Sequence, residues 1–299
     1  RSQGFRVTRL KDKLGTRELP TAEILLEGTP AEPVDGLSNG VRKIFPMLNT
    51  TRTWNAVCSA AAMRRGIALG RDYARKREVF GESLADKPLH ESVMGRLEAE
   101  TQGAFQLSFF AAELLGNDSV LKRFVIPLAK LYTGRQAARV SSEVIELFGG
   151  AGYVEDTGLP KILRDAQVLP IWEGTTNVLS LEVLRQVANE GIREELFVWI
   201  DTLRENLSGN DLQKWADGAA SDVRNALSWI EENGENFETL QAQARNLSYV
   251  FGDALEVLLL ARQAQWERNH DVPERAESSC RELASGGSVH PGGDRTPIG

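Results

Sequence analysis

The sequence predicts a mainly α fold: a bundle of long helices, preceded by a short β segment and followed by a second helical block. Three observations predict it. Apolar residues recur at helical spacing over stretches of about 25 residues. Turn-forming residues cluster between those stretches. Strand-like patterning is confined to residues 1–45. The 299 residues, 41% hydrophobic and 26% charged, suffice for a large core or two or three helical layers. No apolar run is long enough for a transmembrane helix.

In chain order, Phe5 and Val7 and the run Ala22-Glu23-Ile24-Leu25-Leu26 read as short strands, and Gly28, Pro30, Pro33, Gly36 and Gly40 then break the chain. Two strands make no sheet domain alone. Residues 1–45 are therefore expected to be the remnant of a β-domain whose start precedes Arg1, and the chain part of a longer protein. The helical pattern begins near Thr50, with Trp54, Val57, Cys58 and Ala61 as its stripe. A second helix, Glu91 to Leu115, is striped by Val93, Leu97, Ala104, Leu107, Ala111 and Leu114. A third, Leu121 to Phe148, is striped by Val125, Leu128, Tyr132, Ala137, Val140, Val144 and Leu147. Such lengths suit an antiparallel bundle. Short helices over Pro160–Val168 and Thr176–Glu190 complete a domain spanning 46–190. Stripes beginning at Leu196, Leu212 and Leu240 predict an additional helical domain over 191–270. Beyond Asp271, Pro, Gly and Ser dominate, and 271–299 is expected to be disordered.

Charge is uneven. From Glu190 onward there are ten basic and twenty acidic residues, leaving the preceding chain at +3 within a net −7. The acidic C-terminal part argues against a nucleic-acid partner; the mildly basic front suits an anionic small molecule. Cys58 is expected in the core and Cys280 in a polar tail, with neither in a disulfide framework. His90, His270 and His290 have no metal-ligand spacing, so no metal is expected. A reducing intracellular setting, mitochondrial or cytoplasmic, fits best.

Three clusters carry chemistry, and each has two readings. Arg75-Lys76-Arg77-Glu78-Val79-Phe80-Gly81 is either a basic helix C-terminus favoured by the dipole or a bend presenting an arginine fork to a diphosphate. Glu146-Leu147-Phe148-Gly149-Gly150-Ala151-Gly152-Tyr153 is either a glycine cap or a turn that lets backbone approach a ligand. In Val168-Leu169-Pro170-Ile171-Trp172-Glu173-Gly174-Thr175-Thr176-Asn177, an acid sits within an apolar stretch before a helix start capped by Thr175 or Thr176. Glu173 there is either a complement to the helix dipole or a general base.

Taken together, in this order and spacing and with Arg164-Asp165-Ala166 between the last two, these clusters resemble the C-terminal domain of the acyl-CoA dehydrogenases. Lys11-Asp12-Lys13-Leu14-Gly15-Thr16-Arg17 and Glu27-Gly28-Thr29-Pro30 are similar to the end of that family's middle β-domain, so the resemblance covers about residues 5–190. It implies a C-terminal four-helix bundle and an FAD cofactor. It implies that Glu173 takes the proton alpha to an acyl-CoA thioester while the beta hydrogen leaves as hydride to flavin N5. It further implies that Arg77 and Phe80, Glu146 and Gly150, and Thr175 and Asn177 contact FAD. Those contacts come from two subunits in the family, hence a homodimer or homotetramer, with electron-transferring flavoprotein as the redox partner.

There are departures from the family pattern. Val79 stands where threonine is common, and Glu146 where glutamine is usual. The β-domain residues that flank the flavin ring, and the N-terminal helical domain, are not in this chain, which by itself is expected to be inactive. Glu146, Trp172 and the added helices resemble the AidB-like branch. That likeness leaves two alternatives to dehydrogenation: a noncatalytic acyl-CoA or fatty-acid-binding regulator, and a DNA-associated alkylation-response protein.

Overall fold

The computed structural model describes residues 4–287. Strands β1 (Phe5–Leu10) and β2 (Ala22–Leu26) pair antiparallel, with Phe5 opposite Leu26 and Leu10 opposite Ala22. This ribbon leaves Leu10 and Leu26 about two-thirds exposed, as two strands without a covering layer must. It is tied to the helices at one corner, where the Thr16 N–H donates to Asp165 at 2.6 Å.

Helix α1 (Gly40–Lys76) begins ten residues before the position predicted at Thr50 and runs through Pro46. Its first turns are exposed, so the missing proline N–H is not lost from a packed interior. A two-residue hairpin follows, β3 (Glu78–Val79) and β4 (Glu82–Ser83), turning on Phe80 and Gly81, both at positive φ. That is the turn geometry matched to strand twist. Helices α2 (Pro88–Leu115) and α3 (Lys122–Leu147) are as predicted to within three residues at each end.

Arg71 and Glu98 pair between α1 and α2 at 2.9 Å while Arg75 and His90 line one cleft, so these helices are antiparallel. Gly66 faces Val144 and the Tyr73 ring packs tilted against Phe148, so α1 and α3 run side by side in the same direction. Short helices α4 (Gly150–Tyr153) and α5 (Pro160–Ala166) lead to α6 (Thr176–Val187). Then come α7 (Glu190–Glu205), α8 (Asn210–Glu232), α9 (Phe237–Asn269) and α10 (Ala276–Glu282). Among the described residues no helix is long and apolar enough to cross a membrane.

The stripes predicted for α2, α3 and the helices after Glu190 lie in the interior, and one buried cluster joins α2, α3 and α6 to α7–α10. The stripe predicted for α1 does not. Trp54 is 68% exposed, Ala61 is exposed, and Val57 and Cys58 are only half-buried. The buried face carries Arg52, Thr53, Asn55, Ala56, Ser59, Ala60, Met63 and Ile67 instead. Small residues there let α1 approach α3 closely. The Thr53 and Ser59 hydroxyls donate back to the carbonyls of Asn49 and Asn55, so their burial leaves them satisfied.

Two further expectations are corrected. The segment after Asp271 is ordered as far as it is described. Ala276, Cys280 and Leu283 fall at i, i+4 and i+7 and are buried, and the Glu267 carboxylate accepts the N–H groups of Arg275 and Ala276 at the start of α10. A three-residue stripe is enough to dock two helical turns where composition alone reads as tail; residues 288–299 lie outside the described residues. The cysteines exchange roles: Cys280 is fully buried against α9, its thiol pushed up to about 12 chiefly by burial, whereas Cys58 is half-buried.

Candidate active site at the Glu173 turn

Glu173 closes the irregular stretch between α5 and α6. The chain folds back on itself there, with the Ile171 and Trp172 N–H groups both donating to Val168 O. It then passes through two residues of positive φ, Glu173 at 60° and Gly174 at 112°. The first is costly for a residue with a side chain. The second suits glycine, and a methyl group at Gly174 would also stand 2.8 Å from Leu179.

Three side chains from α1 and α3 capture the carbonyls of this turn. Asn55 Nδ2 donates to Leu169 O at 3.3 Å, Arg52 Nε to Glu173 O at 3.1 Å, and Lys130 Nζ to Gly174 O at 2.5 Å. Arg52 is fixed in turn by Glu182 of α6 at 2.9 Å. Gly134, one helical turn beyond Lys130, has no side chain, and that lets the Leu169–Pro170 backbone lie against α3.

The Glu173 carboxylate itself accepts a hydrogen bond from the Thr51 hydroxyl at 2.8 Å. Lys130 is buried among apolar residues, which lowers its ammonium to about 8; the Arg52 charge adds to the effect and Glu173 offsets part of it. The last two apolar residues before Glu173 face outward, Ile171 at 59% and Trp172 at 43% exposed, while Leu169 and Pro170 are buried; Trp54 of α1 and Val178 of α6 are also exposed. Thr175 is the N-cap of α6 but its hydroxyl makes no capping bond, and both Thr175 and Asn177 are exposed.

The remaining candidates lie elsewhere. Arg77 is the exposed C-cap of α1, and Phe80 is fully exposed at the hairpin tip. Glu146 and Gly150 are exposed at the C-terminal end of α3, beside the end of α1. Thr51 and Lys76 are separated along α1 by ~37 Å at the helical rise. The seven predicted residues thus form two groups at opposite ends of the bundle: Glu173, Thr175 and Asn177 at one, and Arg77, Phe80, Glu146 and Gly150 at the other.

Thr51 and Lys130 were not singled out from sequence. For Lys130 a signal existed, a lysine inside the apolar run Val125–Leu131. For Thr51, one hydroxyl among Thr50, Thr51 and Thr53, there was none. Arg164-Asp165 also acquires a role: Asp165 ties down the β1–β2 ribbon and Arg164 pairs with Glu155 at 3.0 Å.

Residues 38–188 match the family model of the acyl-CoA dehydrogenase C-terminal domain, and the chain belongs to the acyl-CoA dehydrogenase family of oxidoreductases. It is 49% identical over 216 residues to acyl-CoA dehydrogenase family member 11 of Caenorhabditis elegans, covering 69% of this chain and 34% of that protein. To the putative acyl-CoA dehydrogenase AidB of Escherichia coli it is 33% identical over 186 residues, covering 60% of this chain and 34% of that one. The fold superposes on the crystal structure of C. elegans ACDH-11 in complex with C11-CoA with a TM-score of 0.87 at 37% identity, over 94% of this chain and 50% of that one. The chain therefore spans about one third of the curated relatives it matches and half of that solved structure.

Proposed function

We propose that this chain supplies the base-bearing helical domain of an FAD-dependent acyl-CoA dehydrogenase, with Glu173 as the base that removes the proton alpha to the thioester. The observation that carries this reading is the construction of the Glu173 turn. A carboxylate is oriented by the Thr51 hydroxyl on a backbone clamped by Arg52 and Lys130, and Ile171 and Trp172 next to it in the chain, Trp54 one turn after Thr51 and Val178 in the first turn of α6 are exposed apolar side chains suited to meet an acyl chain. Among the described residues the Glu173 N–H donates to no other group, so it is available to polarise a thioester oxygen.

The two separated groups of flavin candidates fit FAD as half-sites. At the hairpin end, Arg77 presents an open guanidinium fork for a diphosphate, Phe80 an apolar face, and Gly150 a backbone with nothing within 4 Å of a side-chain position. At the other end, Thr175 and Asn177 have hydroxyl and amide groups free to face the cofactor near Glu173. A separation of ~37 Å exceeds what one dinucleotide bridges within one chain, which supports a homodimer, alone or within a tetramer, in which each flavin is shared. FAD, when bound, supplies the hydride acceptor; Glu173 takes the proton, and the exposed apolar rim excludes water from the reacting carbons. Electron-transferring flavoprotein as acceptor, and an intracellular location, belong to the same proposal.

The test is the flavin absorbance of the full-length FAD-loaded protein, of which this chain is proposed to be the C-terminal part, under anaerobic addition of a medium-chain acyl-CoA. Bleaching is expected, and Glu173→Gln is expected to slow it by about 10²–10⁴-fold, the range for a general base. Flavin that stays oxidised with acyl-CoA bound would instead support the noncatalytic acyl-CoA-binding reading.

A further inference from the structure

Lys130 touches the Glu173 turn and not the carboxylate itself, yet the fold retains a lysine with no exposed surface in the middle of α3. An ammonium moved from water to such a site is unfavourable, and an apolar residue of the same length would pack there without that penalty. Its ammonium is directed at one atom, the Gly174 carbonyl oxygen, at 2.5 Å. That carbonyl ends the two-residue stretch of positive φ that begins at Glu173.

We propose that Lys130 is a positioning residue for Glu173: by holding the Gly174 carbonyl against α3 while Arg52 holds the preceding one, it locks the left-handed turn that aims the Glu173 carboxyl at Thr51. The proposal rests on Glu173 being the base. Geometry supports it from both sides of the turn. Gly134 and Lys130 lie four residues apart on one face of α3, and the loop is seated on that face twice. At Leu169–Pro170 the seat is contact at 3.1–3.2 Å from the Gly134 Cβ position; at Gly174 it is the ammonium. Across the loop, α1 contributes Asn55, Arg52 and Thr51. Without Lys130 the C-terminal anchor of the turn is gone and the strained Glu173 backbone can relax.

The experiment is backbone hydrogen exchange on the 299-residue chain and its Lys130→Met variant, which keeps the stem and removes the donor. Exchange within Ile171–Asn177 is expected to accelerate about tenfold or more, the effect of losing one charged hydrogen bond, with Leu255–Ala261 of α9 unchanged. In the full-length FAD-loaded protein the same variant is expected to lower kcat about 10-fold to 100-fold with KM within about twofold, as for an aim lost in the transition state. Lys130→Leu repeats the comparison should the Met variant not fold. Unchanged exchange in the loop, or acceleration spread equally over α9, or an unaltered kcat, overturns the proposal. The exchange readout needs no catalysis, so turnover that survives Glu173→Gln removes the base reading without obscuring whether Lys130 holds the loop.

Discussion

The Thr51 hydroxyl donates to the Glu173 carboxylate at 2.8 Å, joining residues 122 positions apart in the chain. The contact exists because α1 lays its N-terminal half against the loop before α6, with Arg52, the next residue, holding the Glu173 carbonyl. A carboxylate with one oxygen fixed points the other in a defined direction. Replacing Thr51 by Val keeps the shape and removes the donor. A hydrogen bond to a charged acceptor contributes about 1.5–3 kcal/mol. If Glu173 is the base as proposed, Thr51→Val in the full-length FAD-loaded protein is therefore expected to slow flavin reduction by acyl-CoA about 10-fold or more, measured by stopped-flow bleaching, with little change in Tm.

Gly174 is required at its position on two grounds, a φ of 112° and the Leu179 side chain 2.8 Å from where a methyl group would stand. Gly174→Ala is expected to destabilise the chain by about 2–4 kcal/mol, combining backbone strain with overpacking. Urea unfolding followed by circular dichroism checks it. A midpoint equal to the parent's would mean that the turn relaxes freely and that the φ at Glu173 is not held.

The stability of the chain also depends on pH through Lys130. Its ammonium is held at about 8 in the folded chain, below its usual 10.5, first by burial and then by Arg52, with Glu173 opposing. Glu182, bound to Arg52, is the other charge at this junction. Between pH 8 and 10.5 the unfolded chain keeps a proton that the folded chain has released, so stability rises with pH across that window. Below it both states are protonated and the whole penalty applies, about 3 kcal/mol at the usual conversion. The difference in unfolding free energy between parent and Lys130→Met is expected to change with pH by that amount, and a flat difference from pH 7 to pH 10 would refute it.

Cys280 gives the opposite dependence. Burial and then Glu277 push its thiol up to about 12 from the usual 9, so the folded chain keeps a proton that the unfolded chain releases. The stability this group contributes is complete below pH 9 and falls as pH rises through the window to about 12. At pH 8 a thiol reagent such as a disulfide of nitrobenzoate is expected to leave Cys280 unmodified in the native chain and to label it after denaturation. Prompt labelling under native conditions would show that α10 opens readily.

Helix α10 covers α9 through Ala276, Cys280 and Leu283. Truncation after Asp271 uncovers that surface and leaves the buried Glu267 carboxylate without the two N–H groups it accepts. The expected loss is about 2–4 kcal/mol from burial and the orphaned acceptor together, seen as a lower Tm of the truncated chain. An unchanged Tm would return the segment to the status of a tail.

The sequence by itself determined the helical class, the helices α2 and α3 nearly to their ends, the stripes of α7–α9 and the order of the family motifs. Those depend on periodicity and on turn chemistry, which are local. Its errors were of one kind. The stripe on α1 was assigned by helical spacing from Trp54, Val57, Cys58 and Ala61; the tertiary structure buries the small and polar face instead, because close approach to α3 and satisfied hydroxyls outweigh one large side chain. The tail after Asp271 was read by composition, and its three apolar residues gain their value only from the α9 surface they cover. At the candidate site, Glu173 stood out by its motif and Lys130 only as a lysine within the apolar run Val125–Leu131, whereas Thr51 had no local reason to be special. Only the packing of α1 and α3 against the loop brings a hydroxyl from 122 residues away to the carboxylate and an ammonium from 44 residues away to the next carbonyl. Separation along the chain carries no such information; the meeting of side chains across a packed interface does.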